Sequence, residues 1–271
     1  MREGLELASL PESLTPSLAG AADSVPATYV NGCHLDSLQI EFGDCVFGDP
    51  AAGRTVVLVG DSHAAQWFPA LDRVAAENSW RLISLTKALC APTTARIPNP
   101  VDPSRDYTEC AEVHRSVVSR VAELRPQLVI ASSIVSYRNL GNPPAAAWFS
   151  GVTDFLSQLR KAGAQQVALL GDTPFLGADI PSCVARHTDA VSMCNASMDL
   201  VSPFALTVRM KAAVESAKAV FVPTTDWLCI DGSCPVVVGN TLMYRDESHI
   251  TPEAAIWSSG HLSGLLPPPA R

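Results

Sequence analysis

The sequence predicts a single three-layer α/β/α domain built on a five-stranded parallel sheet. Three observations carry that prediction. Short apolar, β-branched runs alternate five times with longer segments of helical periodicity, the pattern of βα units wound right-handed around a parallel sheet. The runs are apolar at consecutive positions, as strands covered by helices on both faces require. The chain has 271 residues and is 47% hydrophobic, enough to bury one such core.

The elements follow in order. Residues 1–30 hold Pro11, Pro16 and Pro26 among Ser, Ala and Leu, and read as a linker or wrapping arm. The domain proper is assigned to 31–271, opening on a lead-in with two cysteines and several glycines. Residues 55–59 form the first strand, stopped by Gly60. Residues 64–78 form a helix with Phe68, Leu71 and Ala75 on one face. Residues 81–85 are the second strand, and 91–105 are proline-rich and loop-like. Residues 107–124 align Val113, Val117, Val121 and Leu124 and close before Pro126. The remaining strands are 127–131, 166–170 and 219–222. Helices at 145–161, stopped by Gly163, and at 203–218, capped by Ser202, lie between them. The loop 173–201 is long enough to be functional or disulfide-held. Thr251, Pro252 and Glu253 open a last helix with a cap, a first-turn proline and an acid at the positive end of the dipole.

Composition narrows the function classes. Charged residues make up 17%, the net charge is −8, and no Lys/Arg cluster is present. That argues against nucleic acid or anionic lipid as the main partner. Eight cysteines fall as sequence neighbours: Cys33 and Cys45, Cys90 and Cys110, Cys183 and Cys194, Cys229 and Cys234. An even, generous count suits disulfides and an oxidising, extracytoplasmic compartment. Many connectivities are open, of which neighbour pairing is the simplest. A zinc site would need C-x-x-C-type pairs, and there are none. No apolar run reaches the ~18 residues of a membrane span, and residues 1–21 lack the apolar core of a signal peptide. The expectation is that an exporting or anchoring part precedes this sequence.

Two motifs carry chemistry. Ligands of parallel α/β sheets bind beyond the carboxyl ends of the strands. Gly60-Asp61-Ser62-His63 sits there, between the first strand and the first helix. Gly60 permits a tight turn, and a helix N-terminus offers N–H groups to an oxyanion forming at Ser62. Asp246-Glu247-Ser248-His249 precedes the last helix. His249 would take the Ser62 proton, and Asp246 would hold its tautomer. Asp61 shares the Ser62 turn and reads as a structural hydrogen-bonder rather than the triad acid. His63 reads as structural or substrate-facing. His34, His114, His187 and His261 read as surface or packing residues.

Gly60-Asp61-Ser62-His63-Ala64 followed by Asp246-x-x-His249-Ile250-Thr251 resembles the SGNH (GDSL) hydrolase superfamily. More narrowly, it resembles the SGNH domain fused behind acyltransferase-3 membrane domains. Leu14-Thr15-Pro16-Ser17-Leu18, Gly32-Cys33, Gly171-Asp172-Thr173-Pro174 and Pro181-Ser182-Cys183 fit the same subgroup. The resemblance implies a flavodoxin-like fold and an O-acyltransferase or esterase acting on cell-envelope carbohydrate. The membrane domain upstream would supply the acyl group, and a glycan would accept it. The resemblance implies no metal or organic cofactor. One departure stands out. The superfamily completes its oxyanion hole with a Gly and an Asn from later blocks, but no G-x-N-D follows the third strand. Ser132-Ser133 stands there, with Tyr137, Arg138 and Asn139 beyond. The oxyanion candidates are therefore the Ser62 N–H, Ser132, Ser133 and Asn139. A water-accepting carbohydrate esterase and a non-catalytic glycan-binding ectodomain are the competing readings. Trp67, Trp148, Trp227 and Tyr244 read for the most part as core packing, with a sugar platform the alternative.

Overall fold

The computed structural model describes residues 1–135, 143–201 and 204–265. Its central sheet has seven strands where five were expected: β1 (His34–Leu35), β2 (Val46–Gly48), β3 (Thr55–Gly60), β4 (Arg81–Lys87), β5 (Leu128–Ser132), β6 (Gln166–Leu170) and β7 (Val220–Val222). The spatial order is β1-β4-β3-β5-β6-β7, with β2 also on β4. The five anticipated strands are all parallel to one another, in registers such as Val57↔Ile83, Val57↔Val129, Val129↔Val167 and Leu169↔Phe221. The two additions divide the outer edge of β4. β1 runs parallel beside its end, and β2 runs antiparallel beside its start. Segments of two and three residues are too short to show a period of two, so the sequence gives them no signal. The Cys33–Cys45 disulfide joins the two segments just outside these strands.

Alternation along each strand fills two cores. Val56 and Leu58 of β3, Leu128 and Ile130 of β5, and Ala168 and Leu170 of β6 face one layer. There they join Phe68, Leu71 and Ala75 of the helix Phe68–Glu77 and residues of the carboxyl-terminal helices. Val57, Val59, Val129, Ala131, Val167 and Leu169 face the other layer. They join Val113, Val117 and Val121 of the helix Thr108–Leu124, Phe155 and Leu159 of the helix Ala145–Lys161, and Leu206 and Met210.

The expected helix 64–78 is two helices, Ser62–Ala65 and Phe68–Glu77. Pro69 has no N–H to donate to the carbonyl of Ala65, so the helix breaks and restarts with Pro69 in its first turn. The long loop after β6 holds a short helix, Ile180–Arg186, and a 3₁₀ turn, Val191–Cys194, joined by Cys183–Cys194. Leu7, Leu10, Leu14 and Leu18 pack on the first core, and Thr15 bridges to Thr241. All four neighbour pairs of cysteines are disulfides. Among the described residues, no helix is long and apolar enough to cross a membrane.

Gly60 ends β3 with φ of +133°, a region open in practice to glycine alone. A Cβ there would also collide with the Ser132 carbonyl of β5. Gly60→Ala is expected to cost about 3 kcal/mol, read in thermal unfolding as a fall on the order of 10 °C. An unchanged melting temperature would contradict this reading of the turn.

Candidate active site

The turn after β3 places Ser62 at the carboxyl edge of the sheet, as the first residue of the helix Ser62–Ala65. Asp61 caps that helix. Its Oδ1 accepts from the His63 N–H at 2.8 Å, and its Oδ2 accepts from the Ile134 N–H at 3.1 Å. Asp61 thus binds the turn after β3 to the segment after β5. Burial lifts its pKa to about 6. It is 1% exposed and, as expected from its position, makes hydrogen bonds away from the triad.

Asp246 to His249 lie in a tight turn held by a bridge between Tyr244 and Ile250 and by the Arg245 N–H to the His249 carbonyl, 3.0 Å. Thr251 then caps the helix Pro252–Trp257 through the Ala254 N–H. This turn meets the Ser62 turn. His249 Nε2 is 2.8 Å from Ser62 Oγ, and His249 Nδ1 is 2.7 Å from Asp246 Oδ2. Asp246 Oδ1 accepts the N–H groups of Ser248 and His249 at 2.8 and 2.7 Å. The three side chains chosen from sequence therefore form one hydrogen-bonded line across 187 residues.

The electrostatics suit a general base. Burial alone would raise the Asp246 pKa. The hydrogen bond and charge of His249, with the two backbone donors, outweigh it and hold this carboxyl below the usual range. Burial pushes His249 below its ordinary value against the pull of Asp246, and nearby His63 and Arg245 add to the lowering. A histidine that sheds its proton readily is free to accept one from Ser62.

Residues 32–263 match the family described as "SGNH domain (fused to AT3 domains)". The chain belongs to this family. Among solved structures, the periplasmic domain of the lipopolysaccharide acetyltransferase of Salmonella ser. Paratyphi A has a similar fold. The TM-score is 0.67 at 13% sequence identity, over 93% of this chain and 97% of that one. No curated protein matches the chain in sequence.

Within this SGNH domain the other candidates separate. As first residue of its helix, Ser62 has a backbone N–H without an intrahelical acceptor. The Ser132 hydroxyl is committed to the Leu170 carbonyl at 3.3 Å, so it is spent on holding β5 to β6. Ser133 is buried, 2% exposed. Asn139 lies outside the described residues. The N–H groups of Ile134 and Val135, just past β5, are taken by the carboxylates of Asp61 and Asp172.

The sugar-platform reading fails for three of its four residues. Trp67, Trp148 and Tyr244 are buried core. Trp227 is partly exposed, stacked on His261 at 5.1 Å and edge-on to Trp67 at 5.6 Å. His114 packs against Phe155 and the Cys90–Cys110 disulfide, and burial lowers its pKa to about 4. Those two sulfurs and His114 are the one cluster of metal-ligand type among the described residues, but disulfide sulfurs offer no thiolate.

Sequence reasoning gave His63 only a structural or substrate-facing reading and passed over Asp172 and Arg245 as neighbours of Ser62, Asp246 and His249. His63 is 1% exposed, with Nδ1 2.7 Å from Asp172 Oδ1, and its ring centroid lies 4.4 Å from that of His249. Asp172 follows β6 directly, on the ligand edge of the sheet, and that position was the available signal. Arg245 lies 3.8 Å from Asp246 Oδ2, over the ring of Tyr29. Residue spacing does not reveal that the amino-terminal arm reaches this far.

Proposed function

We propose that this SGNH domain is an extracytoplasmic serine O-acyltransferase that places an acyl group, acetyl in the first instance, on cell-envelope carbohydrate. The observation that carries this is the line Ser62–His249–Asp246 at 2.8 and 2.7 Å. The family's fusion to AT3 domains supports a membrane partner upstream as source of the acyl group. The fold likeness to a lipopolysaccharide acetyltransferase domain supports a glycan acceptor. Four disulfides support an oxidising compartment.

The reaction runs in two halves. His249 Nε2 takes the hydroxyl proton as Ser62 Oγ attacks the donor carbonyl. The tetrahedral oxyanion is met by the Ser62 N–H, a donor fixed before reaction. Collapse expels the donor's leaving group, which takes the proton from His249 and leaves acyl-Ser62. A sugar hydroxyl then gives its proton to His249, attacks the acyl carbonyl, and leaves as the ester while Ser62 regains its proton. Asp246 keeps the Nδ1 proton throughout and faces the positive charge that His249 acquires.

The test pairs labelling with product analysis. A fluorophosphonate probe is expected to modify Ser62, and a 4-nitrophenyl ester with an oligosaccharide acceptor is expected to yield acylated sugar. Free acid alone, with labelling intact, would assign the domain as an esterase using water. Absence of labelling would favour a glycan-binding domain without catalysis.

A further inference from the structure

We propose that His63, which is buried, and Asp172 form a second His–Asp pair that positions the general base. The pair clasps the turn carrying Asp246 and His249 to the turn carrying Ser62, and it forms the wall against which the His249 ring is set. The inference rests on the catalytic reading above.

The contacts run through both turns. His63 follows Ser62 directly and is buried, 1% exposed. Its Nδ1 meets Asp172 Oδ1 at 2.7 Å, and its Nε2 lies 3.4 Å from the hydroxyl of Ser248, the residue before His249. Asp172 Oδ2 accepts the Val135 N–H at 2.6 Å, which fixes the carboxylate in place. Thr173 donates its hydroxyl to the Ser248 carbonyl at 2.8 Å and lies 3.2 Å from His63 Nδ1. Gln66 completes the clasp. Its Oε1 accepts the Ile250 N–H at 2.9 Å, and its Nε2 reaches the His63 carbonyl and the Thr173 hydroxyl at 3.1 and 3.3 Å. His63, Gln66 and Thr173, which grip the His249 turn from below, are thus buried and joined to one another, and Asp172 holds His63 from a partly buried position. A network satisfied in this way fixes one geometry.

The pair also places a charge. Facing His63 are Asp172, Asp61 and Asp246; facing His249 are Asp246 and Arg245 on its own turn, His63, and His34 of β1. Burial would strip His63 of its proton, but the charge and hydrogen bond of Asp172 prevail and raise its pKa. A protonated His63 at a ring separation of 4.4 Å opposes a second positive charge on His249. The base therefore rests neutral, and its acid limb is set lower than Asp246 alone would set it. The sign follows directly. Asp172→Asn releases the His63 proton, removes that opposition and raises the His249 midpoint, so activity is lost at a higher pH than in the parent protein.

The test is a titration of the histidine ring resonances by NMR, run beside pH profiles of kcat/KM on 4-nitrophenyl acetate. Asp172→Asn and His63→Gln are each expected to move the His249 midpoint and the acid limb upward by roughly one unit. Each is expected to lower kcat/KM by roughly tenfold to hundredfold. The double variant is expected to be no worse than the weaker single one, because the two residues act as one unit. An unmoved His249 midpoint in a folded Asp172→Asn protein, or losses that multiply in the double variant, would overturn the proposal. Should neither variant fold, the parent protein decides: His63 must keep its proton beyond the pH at which His249 loses its own, and the opposite order refutes the pair. The titration needs no turnover. A failure of the catalytic reading shows instead as an unlabelled Ser62 in the parent protein, so the two failures are distinct.

Discussion

Asp246→Asn is expected to lower turnover by about 10⁴-fold while leaving the fold in place. The carboxylate divides its work between its oxygens. Oδ1 accepts the N–H groups of Ser248 and His249, and Oδ2 accepts from His249 Nδ1. An asparagine keeps Oδ1 for the backbone donors and so preserves the turn. Its amide nitrogen then faces Nδ1 as a donor and drives the ring proton to Nε2. That nitrogen, 2.8 Å from Ser62 Oγ, can no longer accept the serine proton. The checks are ester turnover, the rate of fluorophosphonate labelling and a thermal melt. Near-normal turnover would mean that His249 does not depend on Asp246 for its tautomer.

Ser62→Ala is expected to cost still more, about 10⁴- to 10⁶-fold in turnover, with stability changed by no more than about 0.5 kcal/mol. Among the described residues the hydroxyl makes one hydrogen bond, to His249, and the backbone of the turn is held by Gly60 and Asp61. The two changes also act on one unit. Asp246→Asn added to Ser62→Ala is therefore expected to reduce the residual rate little further. Acylated sugar formed at the parental rate by the Ser62→Ala protein would rule out an acyl-serine route.

The layers of this domain were legible in the sequence because β3 to β7 are apolar on both faces and bounded by turn residues. The hydrogen-bonded line proposed as a triad was legible because its members come as two compact motifs at opposite ends of a βα series. What stayed hidden depends on three-dimensional proximity. β1 and β2 are too short to carry a period. The break ahead of Phe68 looked like a continuous apolar stripe, since Ala64 and Phe68 keep helical spacing across it and Leu71 and Ala75 extend it. His63 read as structural or substrate-facing without a partner, because Asp172 stands 109 residues away, and no spacing within one turn announces such a contact. Ser132 looked like a free polar residue, because sequence does not say that a neighbouring strand's carbonyl is waiting for its hydroxyl.

The disulfides have a consequence for how the chain comes to be built. Their partners are 12, 20, 11 and 5 residues apart, and no bridge encloses another. A chain threaded through a membrane from its amino end therefore presents each thiol next to its own mate before the following couple emerges. An oxidant that joins thiols in order of arrival writes the native connectivity directly, without later reshuffling. Assembly of this domain is thus matched to delivery as an unfinished thread.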